Sequence, residues 1–451
     1  MKVVTGDPPL GVAYIASYLR ERGISVDVLD TTFKNSYSFV EKIIKHQKPD
    51  ILGISAISTM MNDAIEIGKI GKSNGIPLVI LGGPGPSVQP EKTLKSENVD
   101  AVVIGEGEYS FDKIVERFER KEKIEDLIGI PNLYVKYQGK IKKCNERYFI
   151  KNLDDIPFPA RDLLDMGKYF KHWFHLDSVS PRFRGTNIFT GRSCPFNCTF
   201  CQPTLKKMFG NFLRRRSPMN VVEELKHLKE NYRINAFFII DDLFMINSKY
   251  IDNFCNEILR EGLDLRWSCQ SRVDTIPSRV LIEKMHKAGL RLVDIGIESG
   301  SQRVLELYNK KITLNQAKKA IKIFRSCSIK TRGYFILGAP TESLKEMKQT
   351  ISFAINSKLD EAAFSILTPF PGTYLYDMAK SKGWKITNEW ASEHYYKKGG
   401  FLSNVLPENV IRKYQRLAFL GFYLHPYRAR YLFNSALGLR RALAKLRCYF
   451  F

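Results

Sequence analysis

No run of about 18 consecutive apolar residues occurs in this 451-residue chain, so a membrane-crossing helix is not expected. A secretory signal is not expected either, because Asp7, Pro8 and Pro9 arrive before any apolar run develops. Acidic residues are in short supply: 47 Asp and Glu stand against 70 Lys and Arg, a net charge of +23. Such a surplus fits either an anionic partner (nucleic acid, a membrane surface, an acidic substrate) or merely solvated lysine faces. Cysteine is scattered outside one stretch. Cys144, Cys255, Cys269, Cys327 and Cys448 follow no pairing pattern. This excludes a disulfide framework and points to a reducing, cytoplasmic setting. With 44% hydrophobic and 12% aromatic residues the chain is not disordered, and its length suggests two or three domains.

One stretch departs from this background. Residues 191–203 read G-R-S-C-P-F-N-C-T-F-C-Q-P, with three and then two residues between Cys194, Cys198 and Cys201. Pro195 and Asn197 favour turns over helix, so a short loop can bring three thiolates round one centre. Three thiolates satisfy three irons of a four-iron cluster and leave the fourth open. A structural zinc site wants a fourth ligand, usually from a second paired motif, and no second closely spaced pair follows. Three free thiols or a three-cysteine zinc knuckle are the alternatives. The C-x-x-x-C-x-x-C pattern resembles the radical S-adenosylmethionine (radical SAM) superfamily. That resemblance implies a [4Fe-4S] cluster whose open iron is chelated by SAM, reductive cleavage of SAM to a 5′-deoxyadenosyl radical, and an electron donor such as ferredoxin or flavodoxin.

Residues 1–125 alternate strand and helix in an α/β rhythm. Strands are expected at 3–4, 25–30, 51–54, 77–81 and 101–104, with a loop at 82–87. Glycine- and serine-bearing strand ends are where open parallel sheets bind ligands. Here Leu10 with Gly11, Ser55 through Thr59, the loop opening on Gly82 and Gly83, and Gly105 with Glu106 resemble the loops of the cobalamin-binding domain that precedes many radical SAM cores. The resemblance implies that these residues line a corrin. Two features depart from the pattern: there is no D-x-H-x-x-G motif to ligate cobalt from below, and the first strand is short. A Rossmann-like domain without the cofactor is the alternative.

Residues 126–183 read as a connector with a hairpin over Gln138-Gly139, and residues 184–380 as about six strands with intervening helices, a partial (β/α)6 barrel whose site lies at the carboxyl ends of its strands. There the resemblance assigns Asp241 and Asp242 to the amino group of SAM, Arg272 to its carboxylate, Glu298 and Ser299 to the ribose and methionyl end, and Gly338 with Pro340 to the adenine side. Lys310 and the P-F-P-G-T turn at 369–373 also match. Residues 381–451 form a helical region rich in Arg, Leu, Tyr and Phe, whose apolar stripe either packs on the barrel or lies on an anionic membrane. The expected fold is therefore α/β: a Rossmann-like cobalamin-binding-type domain, a radical SAM partial barrel and a helical tail. The expected function is cobalamin-dependent methylation, or other modification, of an unactivated carbon of a small molecule or lipid. The alternatives are a cobalamin-free oxidative, cyclising or coupling enzyme and a tRNA-modifying enzyme, the latter disfavoured because no further N-terminal cysteines or RNA-binding barrel are present.

Overall fold

The structure, a computed structural model, describes residues 6–34, 36–384, 386 and 405–428. The expected strand at 3–4, Cys448 and the basic segment beyond 428 lie outside the described residues. The chain divides into two compact units, the first comprising residues 1–173, 193–195 and 203–216, the second 174–192, 196–202 and 217–451.

In the first unit, strands β1 (Ile51–Ser55), β2 (Leu78–Gly82) and β3 (Ala101–Val103) run parallel in that order, and β4 (Leu133–Tyr137) and β5 (Lys140–Lys143) extend the same sheet antiparallel. Strands β2 and β3 are unbroken apolar runs, as parallel strands covered on both faces require. Their core joins Leu78, Ile80, Val103, Ile114 and Leu133. The β4–β5 hairpin turns on Gln138 and Gly139, both at positive φ (49° and 70°), the backbone that a two-residue hairpin loop demands. The hairpin read as part of the connector thus belongs to the first sheet.

Two local expectations change. Residues 25–30 alternate like a strand but form no ladder among the described residues; alternation supplies two faces, whereas a strand exists only through a paired neighbour. The stretch expected as a loop at 82–87 folds into a short helix, Pro84–Val88, entered through Gly83 at φ 88°. Proline suits the first helical turn because the N–H it lacks would have no partner there. Five residues are too few to show a period.

In the second unit, β6 (Gly185–Ile188), β7 (Ala236–Ile239), β8 (Arg266–Arg272), β9 (Leu290–Glu298), β10 (Lys330–Leu337) and β11 (Glu361–Ile366) lie side by side in chain order, all parallel. This is the arrangement of an incomplete (β/α) barrel. The helices between them start on side-chain caps: Ser217, Asn247, Ser278, Thr313 and Ser343 each accept a backbone N–H of the first turn. Phe244 and Phe254 meet Trp267 edge-on, with ring centroids 5.8 and 5.7 Å away.

Part of the aromatic tail also belongs to this unit. Residues 414–423, the start of the stripe expected over 414–451, fall within helix Glu408–Tyr423, which buries Ala418, Phe419 and Phe422. The Tyr423 hydroxyl donates to the Ala362 carbonyl (3.0 Å) and accepts from the Ala362 N–H (3.3 Å), and Gln415 Nε2 donates to the Phe364 carbonyl (2.8 Å). Buried Arg428 donates to the carbonyls of Leu359 (2.8 Å) and Ser357 (2.6 Å). Among the described residues no helix is long and apolar enough to cross a membrane.

Candidate functional site

The cysteine loop follows β6. Cys194 falls in the first unit and Cys198 and Cys201 in the second. Beside Cys194, Ser193 adopts φ 84° and its hydroxyl donates to the Gly210 carbonyl at 2.7 Å. In the second unit the N–H groups of Cys201 and Gln202 both donate to the Cys198 carbonyl, at 3.1 and 2.9 Å, which closes a tight turn. That turn is tied down from both sides. Thr199 N–H donates to the Tyr308 carbonyl (2.9 Å), and Asn309 Nδ2 to the Asn197 carbonyl (2.9 Å). The Leu375 and Tyr374 N–H groups donate back to the Thr199 and Gln202 carbonyls, at 2.9 and 2.7 Å. None of the three cysteines is in a disulfide. Among the described residues no group of three or more His, Cys, Asp or Glu side chains is gathered closely enough to hold one metal ion. A four-iron cluster asks something different, since each thiolate binds its own iron.

At the carboxyl ends of the strands the expected SAM residues separate into two classes. Asp241 is buried and accepts from Thr190, through the backbone N–H at 2.7 Å and through the hydroxyl, so it braces the segment leading into the cysteine loop. Asp242 is exposed, and the protein around it, with the neighbouring Asp241 carboxylate, pushes its carboxyl up from the ordinary carboxylate range. Glu298 stands at φ 67°, beside the register shift that follows Gly296, and its Oε1 receives the buried Lys310 ammonium at 2.7 Å. A side chain at Gly296 would collide with that pair. Strain of this kind in a non-glycine residue is kept where surrounding structure enforces it, commonly at ligand clamps.

Ser299 is fully buried, with its hydroxyl 3.0 Å from that of Thr350, and it accepts from the Ser301 N–H at 3.0 Å. Arg272 is engaged within the protein. Its Nε and Nη2 donate to the two Asp274 carboxylate oxygens, each at 2.9 Å, Nη2 also donates to the Lys310 carbonyl, and Nη1 reaches Cys198 Sγ at 3.3 Å. Asp274, two residues on in the turn that follows β8, is the partner that sequence reasoning missed. Also unread were Asp294, Arg332 and Glu361, register neighbours across β9, β10 and β11. Arg332 bridges the two carboxylates at 3.2 and 3.3 Å.

Gly338 and Pro340 form a buried turn, with Gly338 at φ 84°. The turn is held by Glu342, whose Oε2 accepts from the Gly338 and Ala339 N–H groups at 2.6 and 3.2 Å while Oε1 has no hydrogen-bond partner. Burial raises this carboxyl from 4.5 to about 7, against those two bonds. The folded state therefore holds a proton that the unfolded chain releases, and the stability this group contributes is present below pH 4.5 and lost as pH rises through 7. Glu342→Gln keeps an oxygen for both N–H groups and cannot ionise. Melting temperatures at pH 5 and pH 8 are expected to fall less in the variant than in the parent; equal falls would refute the assignment.

In the first unit three of the expected loops meet at the carboxyl edge of the sheet. Ala56 N–H donates to Gly82 O (3.0 Å), Gly85 N–H to Ala56 O (2.9 Å), and Gly105 N–H to Ser87 Oγ (2.9 Å). A Cβ on Gly83 would lie 3.0 Å from Ser55 Oγ and Ala56 O, so the close approach needs glycine. Ser55 is exposed, Thr59 half-buried, and Ile57 and Met60 beside them present large apolar side chains to solvent. Leu10 is buried in its helix and Gly11 faces open space. Glu106 is committed elsewhere: Arg214 grips it with both terminal nitrogens, Nη1 at 3.1 Å from Oε2, and Ile150 N–H donates to it at 3.0 Å.

Two family models match this chain, the radical SAM superfamily over residues 188–354 and the B12 binding domain over residues 2–115. An uncharacterized methyltransferase of Pyrococcus horikoshii is 37% identical over 427 residues, which span 94% of this chain and 89% of the relative. The chain belongs to the radical SAM enzymes that carry a B12-binding domain. Another relative of this radical SAM enzyme is the anaerobic magnesium-protoporphyrin IX monomethyl ester cyclase of Rubrivivax gelatinosus, 29% identical over 82% of this chain and 66% of that one. Among solved structures, the cobalamin-dependent S-adenosylmethionine radical enzyme OxsB, with aqua-cobalamin and S-adenosylmethionine bound, shares its fold. The TM-score is 0.76 at 16% identity, over 99% of this chain and 70% of that one. Membership gives the enzyme a [4Fe-4S] cluster, SAM and cobalamin. The residues present fit these groups: three cysteines outside any disulfide, on one loop, for three irons, and glycine-built loops with exposed apolar side chains at the sheet edge for a corrin.

Proposed function

We propose that this radical SAM enzyme methylates an unactivated carbon of a small molecule or lipid, using cobalamin as methyl carrier. When bound, the cluster with SAM supplies a 5′-deoxyadenosyl radical and the corrin supplies the methyl group. The observation that carries the reading is the edge at Ser55, Gly83 and Gly105, where Gly83 packs against Ser55 and Ala56 with no room for a side chain of its own and the Ser87 hydroxyl ties in Gly105. The chain's own part is to hold and to exclude. Cys194, Cys198 and Cys201 anchor the cluster, Glu298 with Lys310 offers a fixed carboxylate to a ribose, and Asp242 offers a carboxyl to an ammonium. None of the four expected corrin loops contains histidine, so no imidazole is provided there below cobalt. A low-potential donor of the ferredoxin or flavodoxin type would deliver the electron.

The test is anaerobic reconstitution with hydroxocobalamin, gel filtration, and incubation with reductant and SAM carrying a deuterated methyl group. About one corrin retained per chain, with both 5′-deoxyadenosine and S-adenosylhomocysteine released, is the expected result. Failure to retain any corrin, with 5′-deoxyadenosine still formed, would overturn it in favour of a cobalamin-free oxidising or coupling enzyme.

A further inference from the structure

We propose that Arg272 is a positioning residue that sets the reduction potential of the cluster through Cys198, with Asp274 as its counterweight. The sulfur of Cys198 lies 3.3 Å from Arg272 Nη1, and both residues are buried, at 7% and 6% of their surface exposed. The guanidinium cannot swing away. Asp274 holds Nε and Nη2 in a two-pronged contact at 2.9 Å, the Lys310 carbonyl takes a further Nη2 bond, and the Phe196 ring lies 3.7 Å from the guanidinium carbon. Pinned by these contacts, the Arg272 guanidinium is a fixed positive charge, and it would donate to the thiolate that Cys198 contributes to a cluster.

Reduction of a four-iron cluster adds one electron to a group already surrounded by thiolates. Hydrogen bonds to the sulfurs and nearby charge are two of the means by which a protein tunes that step. In a buried setting the attraction is little screened. A cation at Cys198 favours the reduced cluster and so raises the potential, while Asp274 draws it back. The planar fork matters as much as the charge: lysine could not satisfy Asp274 and the sulfur together. The inference rests on the four-iron cluster and is independent of cobalamin and of methyl transfer.

The experiment is a redox titration of the cluster in the full-length, anaerobically reconstituted protein without SAM, corrin or substrate, read by electron paramagnetic resonance beside iron and sulfide content. Arg272→Gln is expected to lower the equilibrium constant for one-electron reduction at least tenfold, about 59 mV more negative per tenfold. Asp274→Asn should move the potential in the opposite direction, and Arg272→Lys should restore part of the loss. A merely structural role would change cluster content and leave the potential where it was. Arg272→Gln with full iron and the parent potential would overturn the proposal. If Arg272→Gln does not load, an unmoved potential in both Arg272→Lys and Asp274→Asn would do so.

Discussion

Cys198→Ala is expected to reduce the iron bound after anaerobic reconstitution from about four per chain to background, and to abolish 5′-deoxyadenosine formation. Cys198 is the middle thiol of the three, and it is buried. Its backbone is the pivot of the turn, with its carbonyl accepting two N–H groups. Alanine leaves that carbonyl in place, so the loop keeps its path while losing the thiol and the acceptor for Arg272. Folding should be little disturbed, because the change removes one sulfur atom from a site already anchored by Thr199 and Asn309. Loss of the cluster with an unchanged far-ultraviolet spectrum is the diagnostic pair. Zinc as the only stoichiometric metal in the parent protein, or iron and SAM cleavage retained in the variant, would refute the assignment of the loop.

Arg214→Ala should destabilise the first unit by about 3–5 kcal/mol, the range for removing one partner of a buried ion pair. The Glu106 side chain is 2% exposed and that of Arg214 12%. The same guanidinium also donates to the carbonyls of Ile150 (2.6 Å) and Phe209 (2.7 Å). Alanine would strand the Glu106 charge and two carbonyls at once. It would also release residues 203–216 from the loop at 105–108, where the Met208 carbonyl lies 2.2 Å from the position a Gly105 side chain would take. Hydrogen exchange is the suitable measurement: amides around Gly105 and Ile150 should exchange at least a hundredfold faster, since every 1.4 kcal/mol is a factor of ten. Unchanged protection would show that water replaces the arginine without cost.

Much of the barrel was legible because its helices announce themselves. The Thr313–Gln316 and Ser343–Glu346 capping boxes sit where an apolar period begins, and the β10 limits follow directly from the sequence. The three cysteines were legible through spacing alone. What stayed hidden depended on partners far along the chain. Residues 25–30 have the alternation of a strand but no ladder partner among the described residues, a fact that no window of sequence contains. Glu106 and Ser299 have the residue types of ligand contacts, and their bonds to Arg214 and Thr350, 108 and 51 residues away, are not visible in the sequence. Arg272 shows the same limit: its residue type marks it out in the sequence, while its contact with the Cys198 sulfur depends on a loop 74 residues earlier.

An open sheet ends in a strand whose outer N–H and C=O groups invite another strand, including one from a second copy of the same chain. On β11 that invitation is withdrawn by side chains: the Tyr423 hydroxyl pairs with both polar groups of Ala362, and Gln415 takes the Phe364 carbonyl. Helix Glu408–Tyr423 thus acts as a guard against strand-to-strand aggregation. Its Arg-and-aromatic composition, which resembles a membrane-seeking stripe when read in isolation, answers in the described residues to the needs of an exposed sheet edge.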